Sequence, residues 1–599
     1  MDGDRGFQRQ TTWADLLSLV ALGGLFAWLS WISWHRWGDL AVDCGKDVYV
    51  AMRVADGDVL YRDLTFQYPP LAPYINAWLL RLFGLHLDVL YATGMVSSAL
   101  LALMCHALGR RALNAPAAAA SAGLMLISCA FGFFIFNFIL PATYSGLYGF
   151  VFGVLTVFCL LRAWETEGVW WARLAGLSAG LALLCKLEAG VAAAAAGAAW
   201  CIGHGGGRGW RGVVADARRF GAPVALVVGL SLVWLLRRGI LVTALADNIF
   251  PIVRIRYWNR QFFHVGPPTV ASLRQVVTDC IHLGIGVSLA VVSVGGVFAA
   301  SFRLLGTQRW VAWATAIVCV AVVVTFTPVR ALVLDTGLTG LRWAPAGAAG
   351  VALWGAWQLR RDRAVAAARM GLLLGAFTLG LLARWGFQVN IYSRESTAPT
   401  LLLIAALIVA GAAAFLLPRV FRRLSPHPAR LIAWTVPTLL VVYGYGMSRG
   451  TAWQYSQPRD VISTARGEIL GRRPHSVVFA QALQRLATTP PDAELLVIPE
   501  EGLLNFLSGR RSRIRQSTLI PGMLIDREEQ EQFTAQLQAD GPQYIIITGR
   551  RYREFGLQAF DSYNPIVDSW IRSHYTLLEH LQEGRYRLDI FERPASLGR

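Results

Sequence analysis

Two carboxylates and one ammonium group lie within five residues of each other early in the chain, in the stretch VDCGKDVY. Asp43 and Asp47 flank Lys46. A carboxylate can take the proton of an attacking hydroxyl as a general base, and a cation can stabilise negative charge that grows on a departing group. These residue types therefore suit a group transfer with an anionic leaving group. Asp43 is the predicted base, and Asp47 is the second candidate.

Lysine is rare in this chain and is found only at positions 46 and 186, whereas all other basic side chains are arginine. Lys186 lies between two short apolar segments in GLSAGLALLCKLEAG. An ionisable group inside a membrane segment is a functional candidate by default, and a compact ammonium approaches a ligand differently from a planar guanidinium. The sequence leaves two interpretations open: Lys186 binds an anionic ligand, or it extends to the interface and pairs with Glu188.

A second group of candidates occurs in the stretch FPIVRIRYWNRQFFHVGPP. Arg254, Arg256 and Arg260 are suited to binding a phosphate through charge-assisted hydrogen bonds. Tyr257 and Trp258 are suited to stacking on a sugar ring. The alternative, also open, is an interfacial belt of aromatic residues with solvated arginines.

These residues belong to a chain whose composition is that of a multispanning membrane protein. Hydrophobic residues make up 55% and charged residues 15% of 599 positions, and the mean hydropathy is +0.46. Apolar runs long enough to cross a bilayer recur over the first 447 positions, and the first is expected to be a retained span. About thirteen transmembrane helices are predicted, at positions 13–34, 88–108, 116–136, 144–162, 173–185, 189–203, 221–236, 279–301, 310–327, 344–358, 367–384, 398–417 and 431–447.

The placement of arginine predicts the orientation. Clusters of arginine fall in alternate loops, as in cytoplasmic loops of membrane proteins. The N-terminus is then cytoplasmic and the C-terminus extracytoplasmic, in the inner (plasma) membrane. Two of the predicted outer loops are long and mix aromatic with charged residues: residues 36–87 and residues 237–278, called the first and the second outer loop below. The net charge of +18 is explained by these arginines, and no basic module with interleaved aromatics indicates a nucleic-acid partner.

The first outer loop contains two amphipathic segments. Apolar positions recur at helical spacing over residues 48–55, with Gly57 as a stop signal, which predicts a short helix on the membrane surface. Pro69 and Pro70 then introduce a second segment over residues 71–83.

The last 150 residues differ in character. The runs ELLVIP, YIIIT and YRLDIF have strand length and strand composition, and DREEQEQFTAQLQADG has a helix cap at Asp526 with Glu529 three residues later. Strands that alternate with helices predict a small α/β domain. The predicted domains are thus a transmembrane part, 1–447, with a catalytic first outer loop, and a soluble extracytoplasmic α/β domain, 448–599.

At this point the chain resembles the multispanning C-type glycosyltransferases that use polyprenyl-phosphate sugars, especially protein O-mannosyltransferases and the aminoarabinose transferases of lipid A. Those proteins have an Asp-Glu-x-Arg-Tyr motif after the first span, then a Gly, then a Pro-rich segment and Leu-Phe-Gly. Asp43, Lys46 and Gly57 match that pattern, as do YPPL and LFG at 68–71 and 82–84. Cys44 and Asp47 depart from it, and no Lys precedes the two prolines.

The resemblance implies a C-type glycosyltransferase fold and an inverting transfer of a sugar from a polyprenyl-phosphate carrier to an extracytoplasmic acceptor. The acceptor would be a protein, lipid A or a cell-envelope glycan, as in protein glycosylation or lipopolysaccharide modification in a bacterial envelope. Lys46, Lys186 and the three arginines would bind the donor phosphate. Tyr68, Glu188, Tyr257 and Trp258 would contact the substrate. No cofactor is implied, and the scattered histidines have no metal-ligand spacing.

Two other functions remain possible from the sequence. Charged residues near broken helices also suit a transporter or flippase of lipid-linked sugars, and a sugar-polymer ligase would use a lipid diphosphate donor. Against a transporter, the two halves of the chain show no inverted repeat, and the polar residues concentrate in outer loops.

Overall fold

The structure is a computed structural model that describes residues 13–41, 44–132, 137–253, 270–325, 344–362, 365–382, 394–424, 427–552 and 559–594. Before the C-terminal region the chain is helical. The helices are α1 Trp13–Ser33, α2 Cys44–Ala55, α3 Leu71–Phe83, α4 Leu87–Gly109, α5 Ala115–Met125, α6 Tyr144–Thr166, α7 Val169–Cys185, α8 Leu187–Trp200, α9 Gly209–Arg237, α10 Leu241–Val253, α11 Val270–Leu305, α12 Arg309–Thr325, α13 Ala344–Arg361, α14 Ala366–Leu381, α15 Arg394–Val420 and α16 Pro428–Ser456.

Each of the thirteen predicted apolar segments overlaps one of these helices, and the segments 116–136, 310–327 and 367–384 extend beyond the described residues. Within the described residues, seven helices are long and apolar enough to cross a membrane: Trp13–Ser33, Leu87–Gly109, Tyr144–Thr166, the continuous stretch Leu187–Arg237, Val277–Leu305, Thr400–Val420 and Pro428–Ser456. Four shorter apolar helices accompany them. The protein is therefore a multi-pass membrane protein, while the exact number of crossings and the orientation remain predictions.

Small residues let the central helices approach closely. A Cβ atom at Gly176 of α7 would lie 2.0 Å from the backbone oxygen of Phe220, and one at Gly380 of α14 would lie 2.5 Å from the Cα of Ala192. Membrane helices pack through such small-residue contacts because lipid supplies no hydrophobic driving force between them.

The first outer loop has the two predicted helices. Helix α2 begins at Cys44, four residues earlier than the apolar spacing indicated, and the chain leaves it at Gly57 with φ +112°. Its residues from Cys44 to Val54 are buried except for Lys46, so the helix is covered by protein instead of lying open on the membrane surface. Helix α3 begins directly after the two prolines, at Leu71, and ends at Phe83 as predicted. The loop has its own small core, in which Tyr61 and Phe66 pack against α9 and α10.

The C-terminal region is α/β, as predicted. Its elements are β1 Asp460–Thr464, β2 Gly467–Gly471, α17 His475–Ala487, β3 Leu495–Ile498, α18 Gly502–Ser508, α19 Arg527–Asp540, β4 Tyr544–Thr548, α20 Phe560–Tyr563, α21 Pro565–His574, β5 Thr576–Glu583 and β6 Tyr586–Glu592. Strands β1 and β2 form a hairpin, and the other four have the order β3-β4-β6-β5, with β3 and β4 parallel. The predicted cap of α19 is present, since the Asp526 carboxylate accepts the Glu529 N–H at 2.9 Å.

This region packs directly on the first outer loop. Gly45 of α2 lies against α18 so closely that a Cβ atom there would be 2.3 Å from the Leu503 nitrogen. One turn later the Tyr49 hydroxyl accepts the Ser512 N–H at 2.9 Å. The hairpin contacts the start of α4, where the Leu87 N–H donates to the Arg466 carbonyl at 2.8 Å. The helix that carries Lys46 and Asp47 is therefore held between the helical bundle and the C-terminal region.

We expect Gly45→Ala to separate α2 from α18. The added methyl group would collide with backbone atoms of α18, which cannot rotate away as a flexible side chain can. Overpacking of this kind costs about 1–3 kcal/mol, so the thermal unfolding midpoint of the purified protein should fall. Gly23→Ala is the matched control: it lies in α1 with open space around it, and alanine favours a helix. Equal midpoints for the two variants would contradict the close contact.

Candidate active site

The start of α2 places the first group of candidates. Lys46 and Asp47 lie in its first turn; Lys46 is half-buried and Asp47 is buried. Asp43 directly precedes this helix but lies outside the described residues. Its position relative to the other candidates therefore remains a prediction.

Asp47 joins the first outer loop to a membrane helix. Its Oδ2 accepts the backbone N–H of Tyr144, the first residue of α6, at 2.8 Å. The N-cap residue itself, Thr143, makes no side-chain cap bond. A carboxylate at a helix N-terminus satisfies a backbone donor and interacts favourably with the helix dipole. Asp47 thus has a structural task that the sequence did not reveal, and its role as a base remains a prediction.

Lys186 lies where the helical path is interrupted. It is extended, with φ −152° and ψ 130°, between the end of α7 and the start of α8, and its side chain is buried. Glycines of α6 make room for it: a Cβ atom at Gly146 would lie 3.6 Å from the Lys186 Nζ, and one at Gly149 would lie 3.4 Å from the Lys186 Cβ. Glu188 follows in the first turn of α8 and is half-buried.

The two lysines of the chain converge on one aromatic ring. Lys46 Nζ lies 5.3 Å and Lys186 Nζ 5.4 Å from the centre of the Tyr68 ring. Both distances are within the range of a cation–π interaction. Two cations near one ring form an arrangement of the kind that attracts an anionic ligand. We call Lys46 and Lys186 the lysine pair.

The ring of Tyr68 is held by its own loop. The Tyr61 hydroxyl donates to the Tyr68 carbonyl at 2.7 Å, and the Phe66 ring meets the Tyr68 ring edge to face at 5.6 Å. Tyr61 has a φ of 69°, a conformation that is rare for a bulky residue. A backbone held this way needs support from its surroundings. Residues 60–68 are called the Tyr68 segment.

The sequence analysis missed several contacts that hold this region. The Tyr148 hydroxyl of α6 donates to the Asn76 side chain of α3, which joins the first outer loop to the bundle. Asp247 of α10 is bound by Arg515 of the C-terminal region. Neither pair has a local motif, because each joins residues far apart in the chain.

The candidates of the second outer loop are not placed by the structure. Arg254, Arg256, Arg260, Tyr257 and Trp258 all lie outside the described residues. Helix α10 ends at Val253, directly before them. Their roles in phosphate and sugar binding remain predictions.

The contact between Asp47 and α6 leads to a prediction with two variants. Asp47→Asn keeps a side-chain oxygen that can accept the Tyr144 N–H, so the fold and most of the activity should persist. Asp47→Ala removes the acceptor, and loss of a cap costs about 0.5–2 kcal/mol, which should lower the thermal unfolding midpoint. If Asp47→Asn abolished transfer at an unchanged midpoint, Asp47 would act as a base instead.

Part of the chain matches a described protein family. Residues 67–234 match the family described as dolichyl-phosphate-mannose-protein mannosyltransferase. This segment includes Tyr68, Lys186 and Glu188, while Asp43, Lys46 and Asp47 precede it. No curated protein matches the chain in sequence. The family match confirms the resemblance and the class of enzyme that it implied.

Solved structures resemble the chain over most of its length. The apo oligosaccharyltransferase of Archaeoglobus fulgidus is 14% identical, with a TM-score of 0.50 over 95% of this chain and 73% of that one. This likeness shows a shared fold. ArnT from Cupriavidus metallidurans, in a structure bound to undecaprenyl phosphate, is 14% identical, with a TM-score of 0.45 over 97% of this chain and 98% of that one.

Proposed function

We propose that this chain, a membrane glycosyltransferase of the polyprenyl-phosphate-dependent family, transfers one sugar to an extracytoplasmic acceptor by a single inverting displacement. The observation that carries the proposal is the convergence of the lysine pair on Tyr68, beside the helix that directly follows Asp43. The donor would enter from the bilayer, with its phosphate at the lysine pair.

The step conserves atoms and charge. The Asp43 carboxylate takes the proton of the acceptor hydroxyl, whose oxygen attacks the anomeric carbon of the sugar from the face opposite the phosphate. The bond between that carbon and the phosphate oxygen breaks, and its electron pair goes to the oxygen. The carrier phosphate leaves with an additional negative charge. Lys46 and Lys186 stabilise that charge as it develops.

The remaining candidates have supporting roles. Arg254, Arg256 and Arg260 add positive charge on the phosphate side, and Tyr257 and Trp258 stack on the sugar. Glu188, two residues from Lys186 on α8, contacts the substrate. The C-terminal region lies on the extracytoplasmic side, together with the first outer loop on which it packs. The acceptor is a protein hydroxyl, lipid A or a glycan of the cell envelope.

The direct test incubates the purified protein with a sugar linked to polyprenyl monophosphate and, separately, to polyprenyl diphosphate. We expect release or transfer of sugar from the monophosphate donor only, and none with Asp43→Asn, which removes the base but preserves size. The unfolding midpoint of the variant serves as the control for folding. Turnover at the parental rate by Asp43→Asn would remove Asp43 from the mechanism, and preference for the diphosphate would identify a ligase.

We expect the two lysines to differ in role: Lys46 acts mainly on turnover, and Lys186 acts mainly on donor binding. Lys46→Ala should lower kcat by roughly 10²–10³, the loss seen when one donor to a developing oxyanion is removed, and Lys46→Arg should restore part of it. Lys186→Ala should raise the donor KM more than it lowers kcat.

The matched control for the lysine variants is Arg62→Ala, which removes a positive charge from the same loop. The Arg62 side chain is 60% exposed and pairs with its neighbour Asp63. If both alanine variants of the lysines behaved like this control in steady-state kinetics, the phosphate would have to be bound elsewhere, by the arginines of the second outer loop.

A further inference from the structure

One arginine of the C-terminal region contacts two separate parts of the outer face. Arg515 Nη2 donates to Asp247 of α10, at 3.0 Å to Oδ1 and 2.9 Å to Oδ2. The same nitrogen lies 3.1 Å from the Tyr61 carbonyl oxygen. The backbone of Arg515 takes part as well, since its carbonyl accepts the Thr65 N–H at 3.0 Å. One residue therefore binds the Tyr68 segment at two points and α10 at a third.

Asp247 contacts the Tyr68 segment directly as well. Its Oδ2 also accepts the N–H of Phe66 at 3.3 Å, two residues before Tyr68. Burial raises the pKa of the Asp247 carboxyl, and the Arg515 guanidinium opposes that rise. A carboxylate that is only 14% exposed is costly to leave without its cation. Loss of the ion pair is therefore expected to weaken the backbone hydrogen bonds that Asp247 and Arg515 make as well.

Arg515 itself is held firmly. Its neighbour Ile514 is fully buried in the core of the C-terminal region. The Ile514 N–H donates to the Ser512 hydroxyl at 3.1 Å, and the Ser512 N–H donates to Tyr49 of α2. The guanidinium thus projects from a backbone segment that is anchored to the core of the C-terminal region and to α2, and from there it can position the Tyr68 segment.

We infer that Arg515 is a positioning residue for the donor-phosphate site: through Asp247 and the backbone at Tyr61 and Thr65, it sets where the Tyr68 ring lies relative to the two lysine ammonium groups. The inference rests on the proposed function of the lysine pair. It gives the C-terminal region a role in donor binding that acts through the first outer loop. The same contact fixes α10, which leads directly into the arginines of the second outer loop.

The test compares Arg515→Ala with Arg513→Ala. Arg513 is two residues away and also forms an ion pair, at 2.7 Å to Glu494, but its side chain is 78% exposed. We expect Arg515→Ala to raise the donor KM, and to weaken binding of polyprenyl monophosphate, by roughly 10- to 100-fold, the range for loss of a hydrogen bond to a charged group. Its kcat should change less. Arg513→Ala should match the parent protein.

Two further variants separate positioning from general loss of structure. Arg515→Lys keeps the charge opposite Asp247 and should recover part of the donor affinity. Combining Arg515→Ala with Asp247→Asn should be no worse than Arg515→Ala alone, because the two side chains act as a unit. A parental donor KM in Arg515→Ala, additive losses in the double variant, or a fall in unfolding midpoint and kcat that Arg515→Lys does not relieve would each overturn the inference.

The parent protein distinguishes this inference from the function on which it rests. If the parent binds polyprenyl monophosphate and Arg515→Ala binds it equally well, only the role of Arg515 is wrong. If the parent does not bind that lipid at all, the proposed donor site is wrong, and the inferred role of Arg515 is wrong as well.

Discussion

The Lys186 ammonium lies at the interruption between α7 and α8, and only 6% of the residue is exposed. A charge in this position is costly because water no longer solvates it. The face of the Tyr68 ring offsets part of that cost through its negative quadrupole. Lys46 approaches the same ring, and the two cations repel each other. An anion close to both ammonium groups would relieve that repulsion, which is the physical reason for the phosphate site proposed here.

This constraint explains why the first outer loop is so thoroughly supported. An aromatic ring can stabilise two cations only if its loop holds it in place, and the loop contains a strained residue, Tyr61. Support comes from three directions: the loop's own core, the bond between Tyr148 and Asn76, and the contacts of Arg515. The core joins the loop to α9 and α10, the bond between Tyr148 and Asn76 joins it to α6, and Arg515 joins it to the C-terminal region. The position of the ring therefore depends on several parts of the protein.

The C-terminal region is part of this support rather than an appended module. Its helix α18 contacts α2 at backbone distance, which Gly45 makes possible. His35, beyond the end of α1, places its two ring nitrogens 2.9 Å from Asp88 and 3.1 Å from Glu468. Polar contacts of this kind accompany a shared apolar core, in which Val48 and Met52 of α2 and Leu503 and Phe506 of α18 are buried together. They connect the C-terminal region with the loop that carries Lys46 and Tyr68.

The sequence by itself determined the local elements. Apolar runs identified the membrane helices, Pro69 and Pro70 marked the start of α3, and Asp526 with Glu529 marked the start of α19. These features depend on hydrogen bonds and side-chain spacing within a few residues, which a local pattern records. The scarcity of lysine also selected Lys46 and Lys186 before any geometry was known, and the motif resemblance supplied the class of enzyme.

Only the tertiary structure decided how the selected residues are used. Lys46 and Lys186 meet at Tyr68 because α6, α7 and the first outer loop pack together, and no pattern within either segment encodes that meeting. Asp47 was selected as a possible base, but its contact with the N-terminus of α6 depends on where a distant helix begins. Asp247 and Arg515 carry no motif at all. An ion pair becomes significant only when folding brings both partners together in a place that water hardly reaches, and that is a property of packing rather than of sequence.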